Sequence, residues 1–171
     1  ASNPPIINSK INSLSNYNLK NWTRDINIGL TGAFLCSRLI GNKMVKQKRG
    51  VIINISSDLG IISPDQRLYK SKKNNFEKPI SYSVVKHGII GLTKYLATYW
   101  AKNGIRTNCL CPGGVYDNQK KNFVTKVKKL IPMNRMANKY EYKGAIQFMI
   151  SEASSYMNGS TLVIDGGRTI W

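Results

Sequence analysis

The 171-residue sequence has no run of 18 apolar residues, so no transmembrane helix is expected. Its first residues, Ala1-Ser2-Asn3-Pro4-Pro5, lack both a basic stretch and an apolar one, and do not read as a signal peptide. Cysteine is scarce: Cys36, Cys109 and Cys111 form no Cys-x-x-Cys pair. An odd count at these spacings argues against a disulfide framework and against zinc, so no metal is expected and a reduced, cytoplasmic setting fits. Acidic residues are also few, 8 against 26 Lys and Arg, for a net charge of +18. Such basicity raises the reading of a nucleic-acid-binding module. Against it, only 7 of the cations are Arg, and they form neither a cluster nor an aromatic-basic strip. A solvated Lys- and Asn-rich surface explains the charge as well, so neither nucleic acid nor membrane is the expected partner.

What is present suits one globular domain: 42% hydrophobic and 20% charged residues in a chain of domain size. Residues 1–18, rich in Asn, Ser and Pro, read as a loop. From Leu19 to Val45, Trp22, Ile26, Leu30, Ala33, Phe34, Ser37, Ile40 and Met44 fall at helical spacing. Gly29, Gly32 and Gly41 interrupt this helix, each at a cost of up to about 1 kcal/mol against Ala, which suggests close packing on a neighbour or a nearby ligand. Val51-Ile52-Ile53-Asn54-Ile55 is a short β-branched run and predicts a buried strand. A long polar segment, Ser56 to Pro79, follows; loops of this length are commonly functional. Ile80 to Lys102 predicts a second helix closed by Asn103-Gly104. Ile105 to Cys111 predicts a second strand, ended by Pro112-Gly113-Gly114. A short helix near 119–130, another from Tyr140 to Ser151, and a strand at Thr161–Ile164 complete the order. Strands separated by helices imply a parallel sheet. Ligands of such sheets bind beyond the carboxyl ends of the strands, where Ser56-Ser57 and Pro112-Gly113-Gly114 fall.

Tyr82 and Lys86, four residues apart on a helix, share a face with Cβ atoms about 5–6 Å apart. A free phenol titrates near 10, too high for a proton shuttle at neutral pH. A cation at about 5–6 Å and an effective dielectric near 20 contributes about 3 kcal/mol, or about 2 pKa units. Ser57, just past the strand end, could fix a substrate oxygen against the Tyr82 hydroxyl. The spacing alone is weak. The single histidine, His87, points about 100° away from Lys86 and reads as structural or exposed. Trp22, Trp100 and Trp171 read as packing residues, Tyr95 and Tyr99 as a core or dimer face, and Asn108 as a backbone-satisfying polar residue. Tyr116 and Asp117 are candidate substrate-side contacts by position alone.

The ordered set Asn54-Ile55-Ser56-Ser57, Tyr82-Ser83-Val84-Val85-Lys86, Pro112-Gly113-Gly114-Val115 and Asp165-Gly166-Gly167 resembles the short-chain dehydrogenase/reductase family from about Trp22 to Gly167. The resemblance implies an α/β fold: part of a doubly wound, Rossmann-like parallel sheet, limited to the C-terminal strands and helices, as one partial domain over 1–171. It implies catalytic roles for Ser57 (polarising the reacting carbonyl or hydroxyl), Tyr82 (general acid/base) and Lys86 (ribose contact, lowering the Tyr82 pKa). It implies an NAD or NADP contact surface of Ile55, Tyr82, Lys86, Pro112, Gly113 and Val115, and a homo-oligomer through helices 19–45 and 80–102. The Asp165-Gly166-Gly167 turn is implied to be structural. The stretch Asn27 to Ser37, the loop Ser56 to Tyr69 and Asp165 to Trp171 are similar to dehydrogenases of flagellin modification and nonulosonic-acid-type sugar pathways. That points to a sugar phosphate or nucleotide sugar as substrate. Lys70, Lys72 and Lys73, with Lys120, Lys121, Lys126, Lys128 and Lys129, would suit its negative charge.

Three departures qualify the resemblance. No Gly-rich dinucleotide turn is present, so no residue choosing NAD over NADP can be read, and the strand at 51–55 would keep an unpaired, aggregation-prone edge. Gly29 stands where many family members carry a catalytic Asn, and Asn27 points elsewhere. The Ser57–Tyr82 gap is long, and an insert around Gln66–Glu77 is expected to form a loop over the substrate. On these grounds the chain by itself is expected to be inactive, and a catalytically silent partner subunit is an alternative to the oxidoreductase.

Overall fold

A computed structural model describes residues 13–69 and 76–171. Three strands, β1 (Gly50–Ile55), β2 (Ile105–Pro112) and β3 (Thr161–Ile164), form a parallel sheet in that order. The register sets Ile55 beside Leu110 and Pro112 beside Ile164. Beyond these ends the Ser56 N–H donates to Leu110 O (2.8 Å) and the Gly113 N–H to Ile164 O (2.8 Å). The segments that leave β1 and β2 therefore emerge on one edge. Among the described residues β1 pairs only with β2.

The first long helix is built differently from a uniform α-helix. α1 (Leu19–Ile26) leads into one π-helical turn at Asn27–Thr31 and then α2 (Gly32–Gln47). The Gly32 N–H donates to Asn27 O, the wide spacing that defines the turn. Two of the three helix glycines do mark close packing. A Cβ on Gly29 would lie 2.5 Å from Val85 Cγ1, and one on Gly41 would lie 2.1 Å from a Trp100 ring carbon. Gly32 meets only its own helix.

α3 (Ile80–Trp100) is the central helix. Ser81, Val85, Ile89, Thr93, Leu96, Ala97 and Trp100 recur at spacings of three and four and are all buried, as an amphipathic helix on a sheet requires. Val85 and Ile89 pack with Cys109 and Cys111 of β2, and Leu96 and Trp100 pack with Ile105. The two β2 cysteines thus serve as small apolar core residues, fully buried, with sulfurs 4.0 Å apart. A 3-10 turn at Ala101–Asn103 follows α3 and is closed by Gly104, which adopts φ 72°.

α4 (Lys121–Lys128) and α5 (Lys143–Ile150) are shorter than their expected spans. Leu68, Val127, Ile131 and Met136 form a second apolar cluster that fastens the long loop after β1 to α4. Asn108 behaves as expected: it is buried, its amide donates to Met157 O (2.8 Å) and its carbonyl accepts from Ser160 N–H (3.0 Å). Trp100 is buried, but Trp171 is mostly exposed and donates its ring N–H to Leu130 O (3.0 Å). Tyr95 and Tyr99 are not core residues; they stack on each other at the surface. The loop expected over 1–18 is described only from Ser13, and Lys70, Lys72 and Lys73 also lie outside the described residues.

Candidate active site

The cleft lies at the carboxyl edge of the sheet. Ser57, Asp58 and Leu59 come from the turn after β1, Gly113 to Val115 from the turn after β2, Lys78 from the segment just before α3 and Tyr82 from its first turn. Leu68, Tyr69 and Phe76 of the long loop form one wall with Phe123 and Val127 of α4. The volume is about 790 Å³, in the range of sites that hold a small ligand. Of the insert expected around Gln66–Glu77, Leu68, Tyr69 and Phe76 line the cleft, whereas Gln66, Arg67 and Glu77 do not.

Local geometry separates the two candidate serines. Ser56 is buried and donates its hydroxyl to Lys86 O (2.7 Å), a structural contact between β1 and α3. Ser57 reaches the cleft; its Oγ donates to Asp58 Oδ1 (2.7 Å) and accepts from Leu59 N–H (3.2 Å). Tyr82 lies in the same cleft, and Lys86 sits beneath it with Nζ 5.7 Å from the ring centroid. The Lys86 ammonium donates to Ile55 O (3.1 Å) at the end of β1. That carbonyl orients one of its three donors and leaves two. Ser57, Tyr82 and Lys86, far apart in sequence, thus meet at one strand-end rim.

The electrostatics differ from the sequence expectation in one respect. Tyr82 is not brought down by Lys86; its pKa is raised, chiefly by burial, while the Ser57 hydrogen bond pulls it down and the Asp58 charge pushes it up. Burial likewise pushes the Lys86 amine down. Burial is the largest cause at both groups, and the field of Lys86 is not among the causes of the Tyr82 shift.

Several site residues were not legible in the sequence. Asp58 follows Ser57 and is itself buried, with Leu59 N–H donating to its Oδ1 (2.8 Å). Arg168, from the C-terminal turn, enters the same cleft and pairs with it, Nε to Oδ2 at 3.2 Å, both side chains under 10% exposed. Asp165 aims Arg168 inward: its carboxylate accepts from Gly167 N–H (2.9 Å) and Thr169 N–H (2.8 Å), and Gly167 takes φ 90°. That supports the structural role expected for the Asp-Gly-Gly turn. Lys78 packs its ammonium on the Tyr82 ring, 3.8 Å from the centroid. Burial holds its pKa down at about 8, with Asp58 raising and Lys86 lowering it. The only hint of these residues was position: Asp58 adjoins the candidate serine, and Arg168 follows Gly-Gly.

Other expected contacts fall elsewhere. Val115, Asn118 and Gln119 line the cleft, whereas Tyr116 and Asp117 between them do not. Pro112 stands at the end of β2, and Gly113 is compelled by packing, since a Cβ there would lie 2.7 Å from Asp165 Cα. His87 is exposed and bonds its Nδ1 with Ser83 O (2.9 Å). No group of three metal-ligating side chains occurs among the described residues, and no described helix is long and apolar enough to cross a membrane.

Comparison with known proteins agrees with this geometry. A family model described as enoyl-(acyl carrier protein) reductase matches residues 5–169. The 2-dehydro-3-deoxy-D-gluconate 5-dehydrogenase of Bacillus subtilis is 33% identical over 160 residues, which is 86% of this chain and 56% of that protein. The post-translational flagellin modification protein A of Campylobacter coli is 34% identical over 142 residues, 83% of this chain and 55% of that protein. A short-chain dehydrogenase from Leptospira borgpetersenii serovar Hardjo-bovis, solved with bound NAD+, superposes with a TM-score of 0.84 at 34% identity, covering 91% of this chain and 59% of that one. The chain thus spans less than three-fifths of the length of these relatives. Sheet order, the Ser57–Tyr82–Lys86 meeting point and the match over 5–169 lead to one conclusion: the chain belongs to the short-chain dehydrogenase/reductase family.

Proposed function

We propose that this chain forms the catalytic part of an NAD(P)-dependent oxidoreductase that interconverts a secondary alcohol and a ketone on an anionic sugar or sugar derivative. The observation that carries this reading is that Ser57 and Tyr82 line the cleft while Lys86, not itself a lining residue, stands behind the Tyr82 ring on Ile55 O. The residues present suit the nicotinamide end of the cofactor: Lys86, anchored on Ile55 O, keeps two donors for a ribose diol, and the half-exposed Ile55 with Pro112, Gly113 and Val115 borders the same rim. The bound nicotinamide supplies the hydride acceptor in oxidation and the hydride donor in reduction. The protein's own part is acid–base chemistry. In oxidation the Tyr82 phenolate takes the proton from the substrate hydroxyl as the carbinol C–H bond breaks; in reduction the phenol returns it. Ser57 holds the substrate oxygen beside Tyr82, and its hydrogen bond favours the phenolate form. Leu68, Tyr69 and Phe76 exclude water from that proton transfer.

The sugar assignment draws support from the gluconate-type and flagellin-modification relatives, and from the cations that line the cleft. Self-association through α2 and α3 draws support from the exposed Phe34, Leu35, Leu39 and Ile40 and the stacked Tyr95–Tyr99 pair. The test is equilibrium binding of NADH and NADPH to the protein that carries this sequence, followed by turnover assays with secondary alcohols. Micromolar binding of one nucleotide, with turnover abolished by Tyr82→Phe, is expected; binding of neither would sink the reading. A second reading, a catalytically silent partner subunit, is favoured by Gly29, whose contact with Val85 leaves no room for the relay Asn of the family. It predicts nucleotide binding without turnover.

A further inference from the structure

A hydroxyl carries one proton and two lone pairs, and at Ser57 each has a claimant. The proton goes to Asp58 Oδ1 (2.7 Å), and one lone pair accepts from Leu59 N–H (3.2 Å). One lone pair is left, and the Tyr82 hydroxyl hydrogen-bonds with the same serine. A Tyr82 phenol can donate to that lone pair. A phenolate cannot; for Ser57 to assist it, the serine proton must turn away from Asp58. Asp58 is a strong competitor for that proton. It is buried, Leu59 N–H also donates to its Oδ1 (2.8 Å), and its Oδ2 faces the Arg168 guanidinium at 3.2 Å. With both oxygens engaged, the carboxylate is not free to follow the serine. A hydrogen bond to an ionised acceptor is also about twice as strong as one to a neutral acceptor.

We infer that Asp58, clamped by Arg168, is a positioning residue that holds the Ser57 proton away from Tyr82 while the phenol keeps its own. This rests on the oxidoreductase reading and adds to it a residue that acts through the serine. Asp58 favours the protonated phenol, the form that reduction consumes; Ser57 supports the phenolate, the form that oxidation needs. The causes of the Tyr82 shift run the same way: burial, the largest, raises it, the Ser57 hydrogen bond lowers it and the Asp58 charge raises it. Tyr82 is also faced by Lys78 from the segment before α3, by Lys86 from its own helix and by Tyr69 from the long loop. Arg168 stands beyond Asp58, and Lys120 and Lys126 line the α4 side of the cleft. Substitutions at Asp58 and Ser57 leave all of these groups in place.

The test is an NMR titration of the protein that carries this sequence, with tyrosine labelled by carbon-13 at Cζ, whose shift reports ionisation. The Tyr82 signal is identified by its loss in Tyr82→Phe, and circular dichroism at each pH checks that the fold is kept. Asp58→Asn puts a neutral acceptor in place of the charged one. It should lower the pH at which Tyr82 ionises by roughly one unit, the difference between the two kinds of acceptor for one hydrogen bond. Ser57→Ala should raise it. In the Ser57→Ala background, Asp58→Asn should produce less than half of its shift, the remainder being the direct field of the carboxylate. Should Asp58→Asn fold poorly, Asp58→Asn/Arg168→Leu, which strands no charge, answers the same question with and without Ser57. No downward shift, or the same shift with and without Ser57, overturns the proposal. The titration needs neither nucleotide nor substrate, so NADH and NADPH binding measured in parallel separates the two readings. Retained nucleotide binding without a Ser57-dependent shift overturns the Asp58 role alone. A Ser57-dependent shift in a protein that binds neither nucleotide supports the Asp58 role and removes the oxidoreductase reading.

Discussion

Replacing Arg168 with Leu tests how the C-terminal turn supports the site. The guanidinium and the Asp58 carboxylate are 3.2 Å apart and both under 10% exposed. Removing one partner strands a buried charge. Such losses cost about 3–5 kcal/mol, far above the about 0–1 kcal/mol of a surface pair. For a protein of this size about 1 kcal/mol shifts Tm by about 2–4 °C, so Arg168→Leu should lower Tm by roughly 6–20 °C. The double variant Asp58→Asn/Arg168→Leu removes both charges and keeps an acceptor for the Ser57 hydroxyl and the Leu59 N–H. It should recover much of the loss, with a coupling energy of at least about 1.5 kcal/mol. Thermal unfolding followed by circular dichroism, at low and at about 0.5 M salt, measures both. A buried pair is little screened, so the coupling should change by under about 0.5 kcal/mol between the two salts. An Arg168→Leu Tm within about 2 °C of the parent, or additive single variants, would refute the buried-pair account.

Other expectations follow from the same geometry. Tyr82→Phe keeps the ring under Lys78 but removes the proton carrier, so kcat should fall by about 10²–10⁴ with nucleotide affinity nearly unchanged, as steady-state kinetics would show. Gly29→Ala gains up to about 1 kcal/mol of helix propensity but drives a methyl into Val85, at an overpacking cost of about 1–3 kcal/mol. In urea unfolding, the Gly29→Ala/Val85→Ala pair should be at least about 1 kcal/mol more stable than additivity predicts. The Lys78 pKa of about 8 belongs to the free protein, with Asp58 and Lys86 as the facing charges. Anion recognition needs the protonated amine, so kcat/KM for an acidic substrate should fall as pH rises through about 8, and Lys78→Arg should move that limb upward. For stability the sign is opposite. The unfolded chain binds this proton more tightly, so the Lys78 contribution rises with pH from about 8 toward the ordinary Lys value.

The fold elements were legible because their patterns are local. The β-branched run before Ser56 and the three-and-four spacing through Ile80–Trp100 each describe an element that buries one side. The π-turn at Asn27–Thr31 was not legible, because the apolar spacing through it reads as one continuous helix. Tyr82 and Lys86 could be paired from spacing, since four residues on a helix always share a face. The direction of the Tyr82 shift could not: the field of a lysine can be estimated from spacing, but burial depends on a loop closing from elsewhere.

The amino-acid sequence by itself determined the alternation of strands and helices and the parallel sheet, which follow from periodicity along the chain, and it named Ser57, Tyr82 and Lys86 as candidates through motif order. Only the tertiary structure decided that Ser57 rather than Ser56 faces the cleft, that Asp58 and Arg168 pair beneath it, and that Lys78 stacks on Tyr82. Of these, the Asp58–Arg168 contact depends on distances between segments. Asp58 and Arg168 are 110 residues apart, and what joins them is the sheet register that sets the ends of β1 and β3 on one edge, with the Asp165 turn directing the arginine back across it.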